Sequence, residues 1–168
     1  MLYSHAMAFM GCNRRAFIGL AGGAALAGVA ILTGGRAEAR FEVQRSPADW
    51  RRRLGPHRFH ILRESGTERP FTSPLLKEKR TGTFVCAGCN LPLFSSSAKY
   101  DSRTGWPSFW KALPNAVAYE RDLTLGMVRT EEHCRRCGGH LGHLFNDGPQ
   151  PTGKRHCING LSLTFRPA

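Results

Sequence analysis
The chain has 168 residues and a formal charge of +12, from 24 Lys and Arg against 12 Asp and Glu. Such a balance favours polyanions, anionic membranes or acidic partners. The basic residues are scattered, however, and Arg51-Arg52-Arg53 is the only basic triplet. Composition therefore reads as a basic solvated surface rather than a nucleic-acid groove, and the length fits one domain with its own core.

The N-terminal stretch reads as a leader. Asn13-Arg14-Arg15-Ala16-Phe17-Ile18 carries a twin arginine, the run from Ala16 to Gly35 is uncharged, and Ala37-Glu38-Ala39 offers a small-x-small cleavage site. That order predicts a cleaved export signal over residues 1–39 on the twin-arginine route, and hence a periplasmic protein. The alternative is an uncleaved anchor, since the run approaches the ~20 residues of a bilayer span. Its many glycines and alanines suit a cleaved signal better. The remainder, 40–168, is expected to be a single domain.

Ser46-Pro47-Ala48-Asp49 has the form of a helix start, an N-cap followed by proline. A short helix to about Leu54 would put Trp50 and Leu54 on one face. A second helix is expected from Pro56 to about Ser65, ending near Gly66. From Thr83 onward the pattern changes to short strands: Thr83–Val85, Ala116–Tyr119, Met127–Thr130 and Leu161–Phe165, with a turn over Asp122–Gly126. In the last strand Leu161, Leu163 and Phe165 alternate with Ser162 and Thr164, the signature of a half-buried antiparallel strand. The expected class is mainly β with short peripheral N-terminal helices.

Five of the six cysteines lie beyond the leader. Cys86 and Cys89 form one CxxC, Cys134 and Cys137 another, and four thiolates in two close pairs suit a tetrahedral structural Zn²⁺. Asn90 and Gly138 follow the second cysteine of each pair and tolerate the positive φ that such a knuckle needs. Disulfides are the competing reading for an exported protein, although a twin-arginine substrate crosses folded and can carry its metal. A redox-active CxxC fits less well, because neither pair lies at the strand-to-helix junction of a βαβ unit. His140 and His143 are not needed as ligands.

Cys157 is left over. If the Leu161–Phe165 strand extends back, Arg155, Cys157 and Asn159 share one face, and the Arg155 guanidinium would enrich the thiolate. A buried structural cysteine is the alternative. His140, His143 and Asp147 follow the second CxxC, and Trp106-Pro107-Ser108-Phe109-Trp110 offers either an aromatic wall or core packing. A thiolate, a donor imidazole and an aromatic pocket suit attack on a polarised, partly apolar electrophile.

Cys86-Ala87-Gly88-Cys89, Pro92-Leu93-Phe94, Gly105-Trp106-Pro107-Ser108-Phe109, Arg129-Thr130-Glu131, His140-Leu141-Gly142-His143-Leu144-Phe145, Asp147-Gly148-Pro149 and Arg155-His156-Cys157-Ile158-Asn159 occur in this order. From about Trp50 to Phe165 the chain resembles the B-type peptide-methionine (R)-S-oxide reductases. The resemblance implies two antiparallel β-sheets and a Cys₄ zinc site remote from the reactive thiol, with no organic cofactor. It makes Cys157 the nucleophile on the sulfoxide sulfur, leaving a sulfenic acid. Trp106 would receive the substrate's methyl group and help select the R epimer, with Phe145 also in the substrate site. His140 and His143 would be the site imidazoles, His143 the better proton donor, and Asp147, Arg155 and Asn159 the polar shell. Implied partners are oxidised proteins or peptides, or the free amino acid, and a thioredoxin-like protein or small thiol as reductant. No nucleic acid is expected, and a monomer is.

Two departures from that pattern matter. Thr104 stands where many members have a resolving cysteine, and Cys12 lies in the leader, so regeneration should depend on an external thiol. Resolution by a zinc cysteine would cost the metal. His156 replaces a usual Tyr or Phe and would add positive charge below about pH 6.5. A polyanion-binding zinc ribbon, or a purely structural exported domain, would leave Cys157, Trp106 and the His140–Asp147 segment without a role.

Overall fold
The computed structural model describes residues 41–123, 126 and 128–168. The leader with its twin arginine lies outside the described residues, as do Thr124 and Leu125 of the expected turn and Met127 of the expected strand.

Local chemistry accounts for the first element. The Ser46 side chain accepts the Asp49 backbone N–H at 3.1 Å and Pro47 takes the first turn, so α1 (Pro47–Glu64) starts where a cap and a fixed φ favour it. Gly55, at φ 68° and ψ 172°, breaks α1 just before Pro56, and two short helical runs result, as expected. Ser65 ends the second in the left-handed conformation, and the Gly66 N–H closes onto the His60 carbonyl at 3.0 Å. Trp50, Leu54, Phe59 and Leu62 turn inward to the core.

The strands are β1 (Gly82–Cys86), β2 (Pro92–Ser95), β3 (Lys99–Tyr100), β4 (Ser108–Phe109), β5 (Val117–Asp122), β6 (Arg129–Cys134), β7 (His140–Phe145), β8 (Arg155–Ile158) and β9 (Leu163–Pro167). Among the described residues they form two antiparallel sheets, ordered β2-β1-β9 and β3-β4-β8-β7-β6-β5. Phe109 joins the sheets: it stacks on Phe94 at 4.3 Å and meets Phe84 edge-on at 5.0 Å. All three rings are fully buried, each worth about 1.5–3 kcal/mol of hydrophobic stabilisation.

One expectation fails. The strand at Leu161–Phe165 does not run back to Arg155, because a 3₁₀ turn at Gly160–Ser162 intervenes and β8 and β9 belong to different sheets. Only Arg155 and Cys157 share a strand face. Asn159 lies beyond β8, and its amide closes the crossing between sheets instead.

Candidate active site
The four paired cysteines come together. Their Sγ atoms all lie within 4.8 Å of one another, with Cys86–Cys137 at 3.7 Å and Cys89–Cys134 at 3.5 Å. A disulfide needs about 2.05 Å, so none links them. Four sulfurs placed tetrahedrally at about 2.3 Å from a metal would lie about 3.8 Å apart, and the cluster can hold such an ion. The two knuckles are built alike: the Asn90 N–H reaches the Cys86 carbonyl, and the Gly138 N–H the Cys134 carbonyl, each at 2.8 Å. Asn90 (φ 62°) and Gly138 (φ 65°) take the left-handed conformation that turns the backbone toward the sulfurs. His140 and His143 are outside this cluster.

Cys157 stands apart from the four. Strand register sets it in a transverse row: Tyr100 on β3, Ser108 on β4, Cys157 on β8, His143 on β7 and Glu131 on β6 are successive partners. Direct partners share a face of a sheet, so the thiol lies between a hydroxyl and an imidazole. Thr104 Oγ1 is 3.9 Å from Cys157 Sγ and belongs to a hydroxyl chain, 2.8 Å from Ser102 Oγ, which is 2.7 Å from Ser108 Oγ.

His140 and His143 are three apart, a spacing that would send them to opposite faces of a regular strand. The β6–β7 register skips Leu141, pairing Glu132 with Gly142 and His133 with His140. This bulge brings the two imidazoles together with centroids 5.6 Å apart. Each has a carboxylate behind it: His140 Nδ1 is 2.6 Å from Glu131 Oε1, and His143 Nε2 is 2.8 Å from Asp122 Oδ2. Asp122 also accepts from Arg129 at 2.7 Å. Burial lowers the His143 pKa, and the hydrogen bond to Asp122 opposes that shift.

Asp147 and Arg155 form a two-pronged pair, both contacts 2.8 Å, and the guanidinium stacks 4.3 Å over the Phe145 ring. The expected enrichment of thiolate by Arg155 is outweighed. Burial pushes the Cys157 thiol above its ordinary value, while the Thr104 hydroxyl and Arg155 draw it only partly back.

Trp106 is half-buried and donates its indole N–H to the Glu68 carbonyl at 3.1 Å. Of the rest of its segment, Phe109 is core and Trp110 half-buried. Asn159 is turned away from the thiol: its Oδ1 accepts the Glu68 N–H at 2.9 Å and its Nδ2 donates to the Leu141 carbonyl at 3.1 Å. Glu68 is the residue that sequence reasoning passed over. Its buried carboxylate accepts the N–H groups of Gly160 at 2.5 Å and Leu161 at 3.0 Å, so one residue ties Trp106 to the turn after Cys157. Burial raises its pKa, and those two backbone donors oppose the rise. The signal available was a lone acidic residue beside Arg69 in the Gly66–Pro70 stretch. Asp122 was missed too, having been read only as part of a turn.

His156 does not contribute an exposed charge. It faces the core side of β8, with Nδ1 2.9 Å from both oxygens of the fully buried Glu132 and its ring against Phe94. A buried carboxylate needs such a partner, which gives the imidazole a structural place where an aromatic ring would leave Glu132 alone.

A β-rich scaffold with a four-sulfur cluster at one place and a single thiol among imidazoles and hydroxyls at another defines a thiol-chemistry protein. The SelR domain family matches residues 54–167. Proteins named peptide methionine sulfoxide reductase MsrB are similar over most of their length. The one from Agrobacterium fabrum is 55% identical over 127 residues, covering 75% of this chain and 94% of that protein. That from Thiobacillus denitrificans is 56% identical over 124 residues, covering 73% and 94%. That from Leptospira interrogans is 51% identical over 127 residues, covering 75% and 97%. The chain belongs to the SelR family of MsrB-type peptide methionine sulfoxide reductases.

Proposed function
We propose that the chain reduces methionine-R-sulfoxide, in proteins and as the free amino acid, to methionine through Cys157. The observation that carries this reading is the placement of Cys157, outside the four-sulfur cluster and directly across β7–β8 from His143. With Nε2–H donated to Asp122, Nδ1 is the His143 nitrogen left to serve a substrate. The Cys157 thiol gives its proton to the neutral His143 Nδ1 as its sulfur attacks the sulfoxide sulfur, and the imidazolium so formed returns that proton to the sulfoxide oxygen. That oxygen ends on Cys157 as a sulfenic acid, and methionine departs two electrons richer. Two external thiols then return the sulfenic acid to a thiol, releasing water and a disulfide. Trp106 and Phe145 form the apolar side of the substrate site. Arg155, steadied by Asp147, supplies positive charge beside the sulfur, and Asn159 and His140 hold the surrounding polar framework.

Cys86, Cys89, Cys134 and Cys137 hold one Zn²⁺ in this reading. Four thiolates leave no open position, so the ion supplies structure, tying the knuckle after β1 to the knuckle after β6. The leader carries the domain to the periplasm by the twin-arginine route, where a thioredoxin-like protein or a small thiol acts as reductant on a monomer.

Turnover of each methionine sulfoxide epimer with dithiothreitol tests the chemistry. The R epimer alone should react, and Cys157→Ser should abolish the reaction while zinc content stays unchanged. Undiminished turnover by that variant would sink the mechanism. Replacing Arg14 and Arg15 by lysine should empty the periplasmic fraction; unchanged export would contradict the twin-arginine route.

A further inference from the structure
A cleft of about 1090 Å³ adjoins the Trp106 ring, lined among others by Phe71, Leu76, Lys77, Lys79, Lys99 and Arg103. Sites for whole small molecules occupy roughly 300–1,000 Å³, so this one exceeds what a single thioether side chain fills. Phe71 is 70% exposed and holds a left-handed backbone (φ 65°), fixed by its N–H on the Gly105 carbonyl at 2.8 Å. A bulky residue seldom adopts that conformation, and here it keeps an aromatic ring in solvent in the same cleft wall as Trp106, the residue after Gly105.

The charges along the cleft are unequally available. Of its two carboxylates, Glu78 pairs with Arg80 at 2.6 Å, whereas Asp101 accepts the Arg103 backbone N–H at 3.0 Å and keeps its charge, which acts on Lys99; four cations against that one free carboxylate leave the cleft basic. Lys77, Lys79, Lys99 and Arg103 make no ion pair within 4.0 Å among the described residues. Lys99 gives one N–H to the Leu76 carbonyl at 2.9 Å and keeps two more donors. The cleft is thus basic, partly apolar and continuous with the aromatic contact assigned to the substrate.

We propose that this cleft receives the chain segment flanking an oxidised methionine and selects segments bearing acidic residues. The proposal rests on the reading of Trp106 as the substrate's aromatic contact, and it adds the sequence context in which a sulfoxide is preferred. Complementary charge on a rim of this kind acts on encounter and register more than on the reacting atoms. The preference should therefore appear in kcat/KM and weaken with salt.

Methionine-R-sulfoxide peptides flanked by Asp, Ser or Lys test it, with dithiothreitol as reductant and each rate divided by that for free methionine-R-sulfoxide. At low salt the Asp-flanked peptide should exceed the Lys-flanked one by about tenfold, the size expected from a few exposed charge pairs. The ratio should fall toward unity at about 0.5 M NaCl, a measurement that needs no variant. In the triple variant K77E/K79E/R103E it should invert. Equal kcat/KM for Asp- and Lys-flanked peptides, or an unchanged ratio in the triple variant, overturns the proposal. So does a triple variant that keeps the ratio but loses turnover only with a protein reductant, which would assign the cleft to the reductant. Absence of turnover on every R-sulfoxide would defeat the parent reading and take this one with it.

Discussion
Cys157 is held between opposing influences: removal from water favours the neutral thiol, while the Thr104 hydroxyl and the Arg155 guanidinium favour the thiolate. Burial prevails, so the folded protein should bind the proton more tightly than the unfolded chain does. At neutral pH the thiol form predominates, and thiolate accumulates only above the ordinary thiol range. Alkylation of Cys157 by iodoacetamide, followed by peptide mass spectrometry, should run slower at pH 8 in the native protein than in urea. Its native inflection should move further upward in Arg155→Ala. Faster native than unfolded alkylation at pH 8 would show that burial does not dominate. Glu68 presents a second residue-scale test. Its carboxylate accepts two backbone N–H groups, and an amide can accept through only one of its two heads. Glu68→Gln should cost about 1–3 kcal/mol in urea unfolding and raise KM through the displaced Trp106, whereas an unaltered KM would free Trp106 from dependence on that clamp.

Strand β7 is the element on which the site depends most. Its bulge at Leu141 puts His140 and His143 side by side, and Gly142 lets β8 pass close enough to place Cys157 opposite His143. A Cβ on Gly142 would come within 2.0 Å of the Cys157 carbonyl oxygen, a backbone atom that cannot swing aside. Gly142→Ala should therefore cost at least about 1–3 kcal/mol, as forced overpacking does, and reduce turnover by shifting β7 against β8. Urea denaturation and kcat measured together check this. A variant with native stability and native kcat would show that the strands separate without consequence. The two knuckles are a contrasting kind of element, each built from a short local motif with its own positive-φ residue.

For the molecule as a whole, the four paired cysteines gather in one cluster that could hold a metal ion, and Cys157 lies outside it with no cysteine beside it among the described residues. Thr104 stands 3.9 Å from its sulfur, with an oxygen where a thiol would permit an internal disulfide. One turnover without reductant should leave a sulfenic acid that dimedone traps. Thr104→Cys should instead yield a 104–157 disulfide, detected by a loss of free thiol and by peptide mapping. Trapped sulfenic acid in equal yield from both would show that the Thr104 position cannot reach Cys157. The sequence by itself determined the helix caps, the break at Gly55-Pro56, the knuckle residues Asn90 and Gly138, and the division of cysteines into four and one. These are local matters of backbone conformation and ligand spacing, written within a few residues. Only the tertiary structure decided that β8 and β9 part into different sheets, that a bulge gathers the histidines, that Glu68 and Asp122 stand behind Trp106 and His143, and that His156 is buried on Glu132. Each of those depends on pairing between segments distant in the chain, where a shift of one residue sends every side chain to the other face.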